Sequence, residues 1–367
     1  MKTANEQLID ELIGHEVDLS RLSNAQVVAI IKILNGNDAE LRAALVSAIE
    51  ALGTDLSASA VDAALFRVNQ LNSDTFAQVR QAMTALTDGV ATYEIAFQLK
   101  LFESIVPALV QAKLPIQVAQ FSQVRAQAAA RPFQGRLLSE WMDGIEADRK
   151  ALIRNAVRAG VVNGQTTDEI VRTIMGTRAE KYADGLLQRP RREVESVVRS
   201  AVSHTAETAS DKAFEANSDI ISHVEWLSTL DSRTSTTCRI RDRLPYTLGT
   251  YQPIGHKIPW LAGPGRIHFC CRSTKIPILK SAMALGISDA ATRASMDGQV
   301  PQQTTYAQWL ARQPAARQDE ILGPERGKLL RQDKLKLEDF YNERGKFLTL
   351  DQLHERLKSV SYTHLTL

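Results

Sequence analysis

The chain has 367 residues, of which 44% are hydrophobic, so it can bury two or three domain cores and is not an intrinsically disordered protein. Three cysteines in this length do not form a disulfide scaffold, so we expect assembly in a reducing compartment. The formal net charge is only +2, no apolar signal core opens the chain, and no run of about 18 uncharged apolar residues occurs, so neither export nor a membrane span is expected.

The small net charge conceals an uneven distribution along the chain. Residues 1–120 hold 8 Lys and Arg against 14 Asp and Glu, whereas residues 121–367 hold 36 against 28. A basic surplus of this kind can face nucleic acid, although solvated helix faces produce the same balance. The arginines predicted to contact nucleic acid lie in the two densest groups and are Arg191, Arg192, Arg239, Arg241 and Arg243.

The first 132 residues are predicted to form an acidic helical region that contacts other proteins. Ser23 and Gln26 fit a capping box before a helix that ends at Asn35-Gly36. Asn37 and Glu40 fit the start of the next helix, which should stop at Gly53.

Apolar residues three and four positions apart predict two further helices in this region, at 57–70 and 73–87, the second ending near Gly89. Pro107 should kink or divide the helical stretch that follows, because proline removes a backbone hydrogen-bond donor and clashes with the preceding turn. No long flexible linker separates these helices from the rest of the chain.

More basic helices are predicted after residue 133. A turn at Gly164 is followed by a second capping box, Thr166 with Glu169, and by a stop at Gly176. A long helix then has Pro190 in its first turn and ends near Asn217.

A domain is predicted over 133–284, and its core, residues 220–280, is a loop-rich segment that we call the module. The stretch HVEWLSTL favours a β-strand, and residues 231–277 are rich in Pro, Gly, Ser, Thr and Arg. A helical extension is predicted at 285–358. The fold class is therefore mainly α, with a helical N-terminal region, a long helix leading into a small α+β module, and a helical C-terminal tail. Residues 359–367 break the pattern and are interpreted as a non-native tail that resembles translated adapter sequence.

All three cysteines lie in the module. Cys238 precedes His268, Cys270 and Cys271 by about thirty residues. Two thiolates and an imidazole are three of the four ligands that a tetrahedral zinc ion needs, so Cys238, His268 and Cys271 form a predicted metal set. The fourth ligand stays open among Asp231, His256 and Cys270, and adjacent cysteines on an extended chain point in different directions.

Two simpler interpretations of the cysteines remain open. A disulfide between Cys238 and Cys271 would suit an oxidising compartment, which is not expected here. Small buried thiols packed in a loop core are the commonest state of free cysteines.

Two blocks of this module resemble the signature of the Mu F-like phage head morphogenesis proteins, also called minor head or minor capsid proteins. The family pattern is roughly W-x-x-T-L-D-x-R-T-S-x-x-C, then an Asp-Gly turn, then P-P-x-H-x-x-C-R-S. The matching residues are Trp226, Thr229, Leu230, Asp231, Arg233, Thr234, Ser235, Cys238, Asp242, His268, Cys271, Arg272 and Ser273. Arg243 replaces the glycine of the turn, and Gly265-Arg266 replaces the paired proline.

The resemblance covers most of residues 145–350, including the helix before the signature and the tail after it. It implies a minor structural component of a tailed-phage head, present in few copies and associated with the portal protein, other head proteins and the head interior. It also implies a role in head assembly and DNA packaging or delivery, with a location in the virion, or in the host cytoplasm during assembly. Phage genomic DNA, bound without sequence preference, is a further implied partner.

The chemistry of the matched residues predicts structural roles. Asp231 with Thr234 and Ser235 suits an Asx or Ser/Thr turn after the strand. Arg272 can pair with Asp231 or Asp242 and tie the two blocks together, or bind an external phosphate; the internal tie is favoured. His268 is either a metal ligand or a hydrogen-bonded loop histidine.

Two other functions are weighed against this one. A general nucleic-acid-binding protein would show salt-dependent DNA binding by itself. An ADP-ribosyltransferase-type toxin module would use a Glu-x-Glu pair, which Glu193-Val194-Glu195 supplies, but alternating charges in a helical stretch more simply form a solvated face. No catalytic set is predicted, and no Walker-type or dinucleotide-binding glycine loop occurs.

Overall fold

The computed structural model describes residues 4–52, 56–106, 108–280, 292–301 and 304–363. Over this part of the chain the fold is mainly α with a small α+β module, which confirms the predicted fold class. No helix in the described ranges is long and apolar enough to cross a membrane.

Helices occupy nearly all of the described chain before the module. They are α1 (Ala4–Leu34), α2 (Asp38–Ala51), α3 (Ala58–Ala64), α4 (Phe66–Ile105), α5 (Ala108–Lys113), α6 (Phe121–Ala130), α7 (Leu138–Val162), α8 (Thr167–Met175) and α9 (Gln188–Ala216). The module contains β1 (Ile221–Leu227), α10 (Thr236–Arg239), β2 (Pro245–Tyr246) and β3 (Thr274–Leu279). After it come β4 (Thr292–Ser295), β5 (Gly298–Pro301), α11 (Tyr306–Ala311), α12 (Ala315–Leu322), α13 (Pro324–Arg331), a 3-10 helix (Leu337–Phe340) and α14 (Leu350–Thr363).

The helix signals between residues 160 and 217 are confirmed. Gly164 has φ 68°, and Thr166 caps α8 by accepting a hydrogen bond from the Glu169 amide, while the Glu169 carboxylate accepts one from the Thr166 amide. Gly176, with φ 88°, ends the helix. Short-range capping therefore fixes these boundaries without help from distant residues.

Two of the predicted helix boundaries in the N-terminal region are wrong. Ser23 is buried inside α1, which runs without interruption to Leu34, and Gly89 lies inside the 40-residue helix α4. A glycine inside a helix costs about 1 kcal/mol relative to alanine. Burial of neighbours such as Val90 and Ala91 offsets that cost, so tertiary packing overrides the local stop signal.

The other N-terminal predictions hold only in part: the break predicted between residues 70 and 73 is absent, because α3 ends at Ala64 and α4 runs without interruption from Phe66 to Ile105. The helix α1 ends before Asn35-Gly36, and Asn37 precedes α2, but its side chain donates to Thr75 Oγ1 at 3.2 Å and caps nothing. The predicted division near Pro107 is confirmed, since α4 ends at Ile105 and α5 begins at Ala108. Gly53 and Pro107 themselves lie outside the described residues.

The module is built on a three-stranded antiparallel sheet in the order β2-β1-β3. Val224 pairs with Tyr246 of β2 on one side and with Pro277 of β3 on the other. The central strand β1 is the predicted HVEWL strand, and its Trp226 is fully buried. Trp226 packs edge-on against Trp260, with ring centroids 5.1 Å apart, so the long loop between β2 and β3 folds back over the sheet.

The region predicted as a purely helical extension begins with a hairpin. Strands β4 and β5 pair antiparallel, with Ser295 opposite Gly298. Met296 and Asp297 form the turn between them, and Gly298, the first residue of β5, has φ 108°, a conformation that glycine adopts without steric cost. An Asp-Gly pair is a hairpin signal, so this element could have been predicted from the sequence.

The chain divides into two compact units that do not follow the predicted boundaries at 132 and 284. One unit comprises Met1–Asp18, Tyr93–Val124 and Ala206–Leu367, and the other comprises Leu19–Thr92 and Arg125–Thr205. The helices α1, α4 and α9 each contribute residues to both units. Single long helices therefore contribute to two cores, and the domain boundaries at 132 and 284 stay predictions.

Each unit has its own apolar core. In the second unit, α2, α3, α7 and α8 bury residues such as Leu45, Val61 and Val157. In the first, Leu230 of the module packs with residues of the C-terminal helices that include Tyr306 and Trp309. The predicted C-terminal extension is therefore an integral part of the unit that contains the module.

Candidate metal centre

The helix α10 positions the first cysteine of the module. Ser235 is its N-cap, and the Ser235 hydroxyl accepts a hydrogen bond from the Cys238 amide at 3.2 Å. Ser235 Oγ also lies 2.8 Å from His268 Nε2. A serine that caps a short helix thus links it to the loop that carries the histidine and the other two cysteines.

Cys238, His268 and Cys271 converge as the sequence predicts. Cys238 Sγ lies 3.8 Å from Cys271 Sγ and 3.4 Å from His268 Nε2, and the three candidate ligand atoms all lie within 4.8 Å of one another. Both of these cysteines are buried, whereas His268 is half-buried. The cluster is therefore a compact set of soft donors, closed on the sulfur side and accessible on the histidine side.

The electrostatics of the cluster favour a thiolate at Cys238. The hydrogen bond with the Cys271 thiol, together with the one to His268, holds the pKa of Cys238 well below its ordinary value despite burial. The hydrogen bond to Cys238 and burial raise the pKa of Cys271. Burial opposes the imidazolium form of His268, but the bond with Cys238 and the negative charge there outweigh it and raise the pKa of His268.

This thiolate-imidazole pair does not suit nucleophilic catalysis. Cys238 has an exposed fraction of only 1%, so a substrate atom could not reach its sulfur. His268 Nδ1 lies 2.9 Å from the Phe269 carbonyl oxygen, which can only accept, so no carboxylate orients the ring as in a catalytic triad.

The fourth-ligand candidates do not join the cluster. Asp231 is held by Arg272, and His256 Nε2 lies 2.9 Å from the Pro245 carbonyl oxygen. Cys270 has φ 55° and lies outside the group of converging ligand atoms found in the described residues. Cys238 and Cys271 are free thiols, so no disulfide joins them in this structure.

The predicted tie between the two blocks of the motif is present. Arg272 donates from both Nη atoms to the two carboxylate oxygens of Asp231, at 2.6 and 2.9 Å. Thr229 Oγ1 donates to the Arg272 carbonyl oxygen at 2.9 Å. Thr234 Oγ1 donates to Asp231 Oδ1 at 3.1 Å, and the Thr234 amide donates to the Asp231 carbonyl oxygen at 3.4 Å, so the turn after the strand is closed by the backbone and not by the predicted Asx side-chain bond.

Arg272→Ala should lower the free energy of unfolding by about 1–3 kcal/mol, because a charge-assisted bidentate pair between partly buried groups is lost. Arg233→Ala is the matched control. The Arg233 side chain approaches the same carboxylate, but at the longer distance of 3.8 Å, and it is 80% exposed. Its effect should stay within about 0.5 kcal/mol. Urea unfolding curves measure both, and equal losses would show that the Asp231–Arg272 contact adds no stability.

The remaining matched residues also lie in the interior of the module. Asp242 is buried and accepts hydrogen bonds from the Ser228 amide at 2.8 Å and from Arg293. Ser273 is buried next to Cys271. Arg243, at the position of the family's glycine, has φ 64°, the left-handed conformation for which glycine is the usual residue.

Two of the arginines predicted to contact nucleic acid are buried, so that prediction is corrected for them. Arg241 has no exposed surface and donates to the carbonyl oxygens of Pro259 and Thr237, at 2.8 and 2.6 Å. Arg239 donates to the carbonyl oxygens of Ile321 and Ser232. Buried guanidinium groups bonded to backbone carbonyls cannot reach a phosphate.

Two more of these arginines are held in ion pairs. Arg243 lies 3.0 Å from a carboxylate oxygen of Glu225, and Arg191 donates to Asp38 at 2.9 Å. Only Arg192 among the five is exposed. The sequence shows the arginines but not their internal partners, so a count of charges overstates the basic surface.

The structure also brings together charged residues that sequence reasoning missed. Lys275 and Arg266 pair with Glu207 and Asp211 of α9, and all four are buried. A single sequence signal was available, because Lys275 interrupts the otherwise apolar strand TKIPIL. Its partners lie more than sixty residues away, so their identity could not be inferred from spacing.

Glu193 and Glu195 lie on α9, where Glu193 pairs with Arg189 one helical turn away at 3.0 Å. This ion pair along one helix face is the solvated arrangement that the sequence favoured over a catalytic Glu-x-Glu pair.

No family model, curated protein or solved structure matches this chain.

Proposed function

We propose that the chain is a minor structural component of a tailed-phage head, associated with the portal and the head interior, which acts in head assembly and DNA packaging or delivery. The proposal rests on the resemblance of residues 226–242 and 268–273 to the Mu F-like signature. One observation supports it most: these two blocks, about thirty residues apart in sequence, meet through Asp231–Arg272 and Cys238–Cys271.

The positions of the matched residues favour a structural protein over an enzyme. Trp226, Asp242 and Ser273 are buried in the module, and the Asp231 carboxylate is hydrogen-bonded to Arg272. The motif therefore holds a loop-rich fold together and leaves recognition to other surfaces. Arg233 is the exception, since its side chain is 80% exposed and free to contact a partner protein.

The nucleic-acid-binding alternative loses part of its basis in this arrangement. One of the two arginine-dense segments on which it rests contains Arg239, Arg241 and Arg243, and those side chains are bonded to internal partners. The basic surplus of residues 121–367 nevertheless suits a place near packaged DNA in the head interior.

The proposal predicts that the full-length chain co-purifies with the portal protein encoded in the same genome. Co-expression of the tagged chain with that portal protein, followed by affinity purification, measures the association, and the major tail protein serves as the negative control. Arg233→Ala should leave folding intact and tests whether the exposed motif arginine contributes to binding.

Mass spectrometry of purified virions supplies a second measurement. The chain should be present in far fewer copies than the major capsid protein. A chain that is absent from virions, ignores the portal and binds duplex DNA with a steep dependence on salt would contradict the proposal and support the nucleic-acid-binding alternative.

A further inference from the structure

We propose that Cys238, His268 and Cys271 form a zinc-binding site that fastens α10 to the loop before β3. The inference goes beyond the proposed role in the phage head and does not depend on it. It rests on the positions of three donor atoms, on the hydrogen bonds around them, and on the contrast with the adjacent Cys270.

The distances from Cys238 Sγ to the other two donor atoms match those of a tetrahedral zinc site. Zinc bonds of about 2.3 Å to sulfur and about 2.0–2.1 Å to nitrogen place two sulfur ligands about 3.8 Å apart, and a sulfur and a nitrogen about 3.6 Å apart. The two sulfur atoms of Cys238 and Cys271 lie 3.8 Å apart, and Cys238 Sγ lies 3.4 Å from His268 Nε2. His268 Nε2 and Cys271 Sγ lie within 4.8 Å of each other, so a small side-chain adjustment brings all three donors to one ion.

The hydrogen bonds around the cluster orient the ligands as in known metal sites. His268 Nδ1 donates to the Phe269 carbonyl oxygen at 2.9 Å, which directs Nε2 toward the sulfur atoms. A second-shell bond of this kind fixes the ring orientation of metal-bound histidines.

The donor set selects the metal. Two thiolates and an imidazole suit zinc, whereas magnesium and calcium prefer oxygen ligands. The protein supplies three ligands, so the fourth is a water molecule or a donor from another molecule, which can enter beside the half-buried His268. Asp231 and His256 are already engaged elsewhere.

The ion would stabilise the module by joining residues that are far apart in sequence. Cys238 follows the cap of α10, and Cys271 lies 33 residues later, directly before β3. Because the ligands converge only in the folded chain, the free energy of metal binding adds to the free energy of folding.

The test is the metal content of the full-length chain purified in reducing buffer with zinc in the growth medium. We expect about one zinc per chain. Cys238→Ser and Cys271→Ser should reduce the content to background, and His268→Gln should weaken zinc binding by at least about a hundredfold, since loss of second-shell partners alone costs 10- to 100-fold. The matched control Cys270→Ser should keep its zinc, because Cys270 lies in the same loop but outside the cluster.

A second measurement covers the case in which the cysteine variants do not fold. Cobalt(II) is titrated into the metal-free wild-type chain and into Cys270→Ser, and thiolate-to-cobalt charge-transfer absorption should saturate at one equivalent in both and vanish when zinc is added. A chelator should also lower the melting temperature of both proteins.

Three results would overturn the inference: a wild-type chain that takes up neither zinc nor cobalt, a Cys270→Ser variant that loses metal as completely as Cys238→Ser, or a Cys238–Cys271 disulfide found by mass spectrometry under reducing conditions. All of these measurements use the isolated chain. A failure to bind the portal protein would therefore leave the zinc result unchanged.

Discussion

Replacing Asp242 by alanine should lower the free energy of unfolding by about 3–5 kcal/mol. The carboxylate accepts from Arg293 Nη1 and Nη2 at 3.0 and 3.1 Å, and from the amides of Ser228 and Tyr306 at 2.8 and 2.9 Å. The side chains of Asp242 and Arg293 are each 1% exposed. Without Asp242 the guanidinium charge stays buried without its partner, which is the costly outcome of breaking a buried pair.

Urea unfolding of the full-length chain measures this loss, and Asp297→Ala is the matched control. Asp297 also pairs with an arginine, Arg317, but its side chain is 39% exposed, so its loss should cost no more than about 1 kcal/mol. Adding Arg293→Met to Asp242→Ala should recover part of the stability, because the unpaired charge is removed while two amides still lack their acceptor. An Asp242→Ala variant as stable as Asp297→Ala would refute the buried pair.

Replacing Lys275 by methionine should also lower the free energy of unfolding by about 3–5 kcal/mol. Lys275 Nζ has no exposed surface and lies 2.5 Å from a Glu207 carboxylate oxygen and 2.9 Å from Asp211. Asp211 would keep its bond to Arg266 at 2.9 Å, but Glu207 would lose its cation. Methionine preserves most of the volume, so the effect isolates the charge.

The pH dependence of this difference has a defined sign. Although burial opposes its charge, Arg266 and Lys275 hold the pKa of Asp211 well below its ordinary value. A carboxyl group with a depressed pKa in the folded state contributes stability above its unfolded pKa and loses it as the pH falls. The gap between wild type and Lys275→Met should therefore be widest near neutral pH and shrink below about pH 4.

Lys280→Met is the control for this prediction. Lys280 directly follows the same strand, but it is exposed, and its ammonium group donates to the Ser218 carbonyl oxygen at 3.0 Å. Its replacement should change the free energy of unfolding by no more than about 0.5 kcal/mol at any pH. Equal effects of the two substitutions would mean that the Lys275 charge is not buried in solution.

The features that local chemistry controls could be predicted from the sequence. The boundaries of α8 follow from the capping box of Thr166 and Glu169 and from Gly176, which act within one helical turn. The β1 strand and the mainly helical fold follow from the periodicity of apolar residues. The Asp231–Arg272 tie followed from the chemistry of two charged residues in neighbouring motif blocks.

The residues of the candidate metal set could also be predicted from the sequence, but their geometry could not. The residue types of Cys238, His268 and Cys271 indicated possible ligands, while spacing alone left metal, disulfide and packed thiols open. Only the folded loop brings the sulfur atoms to 3.8 Å and leaves Cys270 outside the cluster.

What only the tertiary structure decided is which charged side chains face inward. Arg241, Arg293 and Lys275 belong to residue types that usually face solvent, yet all three are buried against partners that lie between 18 and 68 residues away. Burial of apolar side chains likewise keeps α1 helical at Ser23 and α4 helical at Gly89, where local signals predicted that the helices would break. In each case the free energy comes from contacts between distant segments, which outweigh the preferences of about 1 kcal/mol that a local sequence pattern expresses.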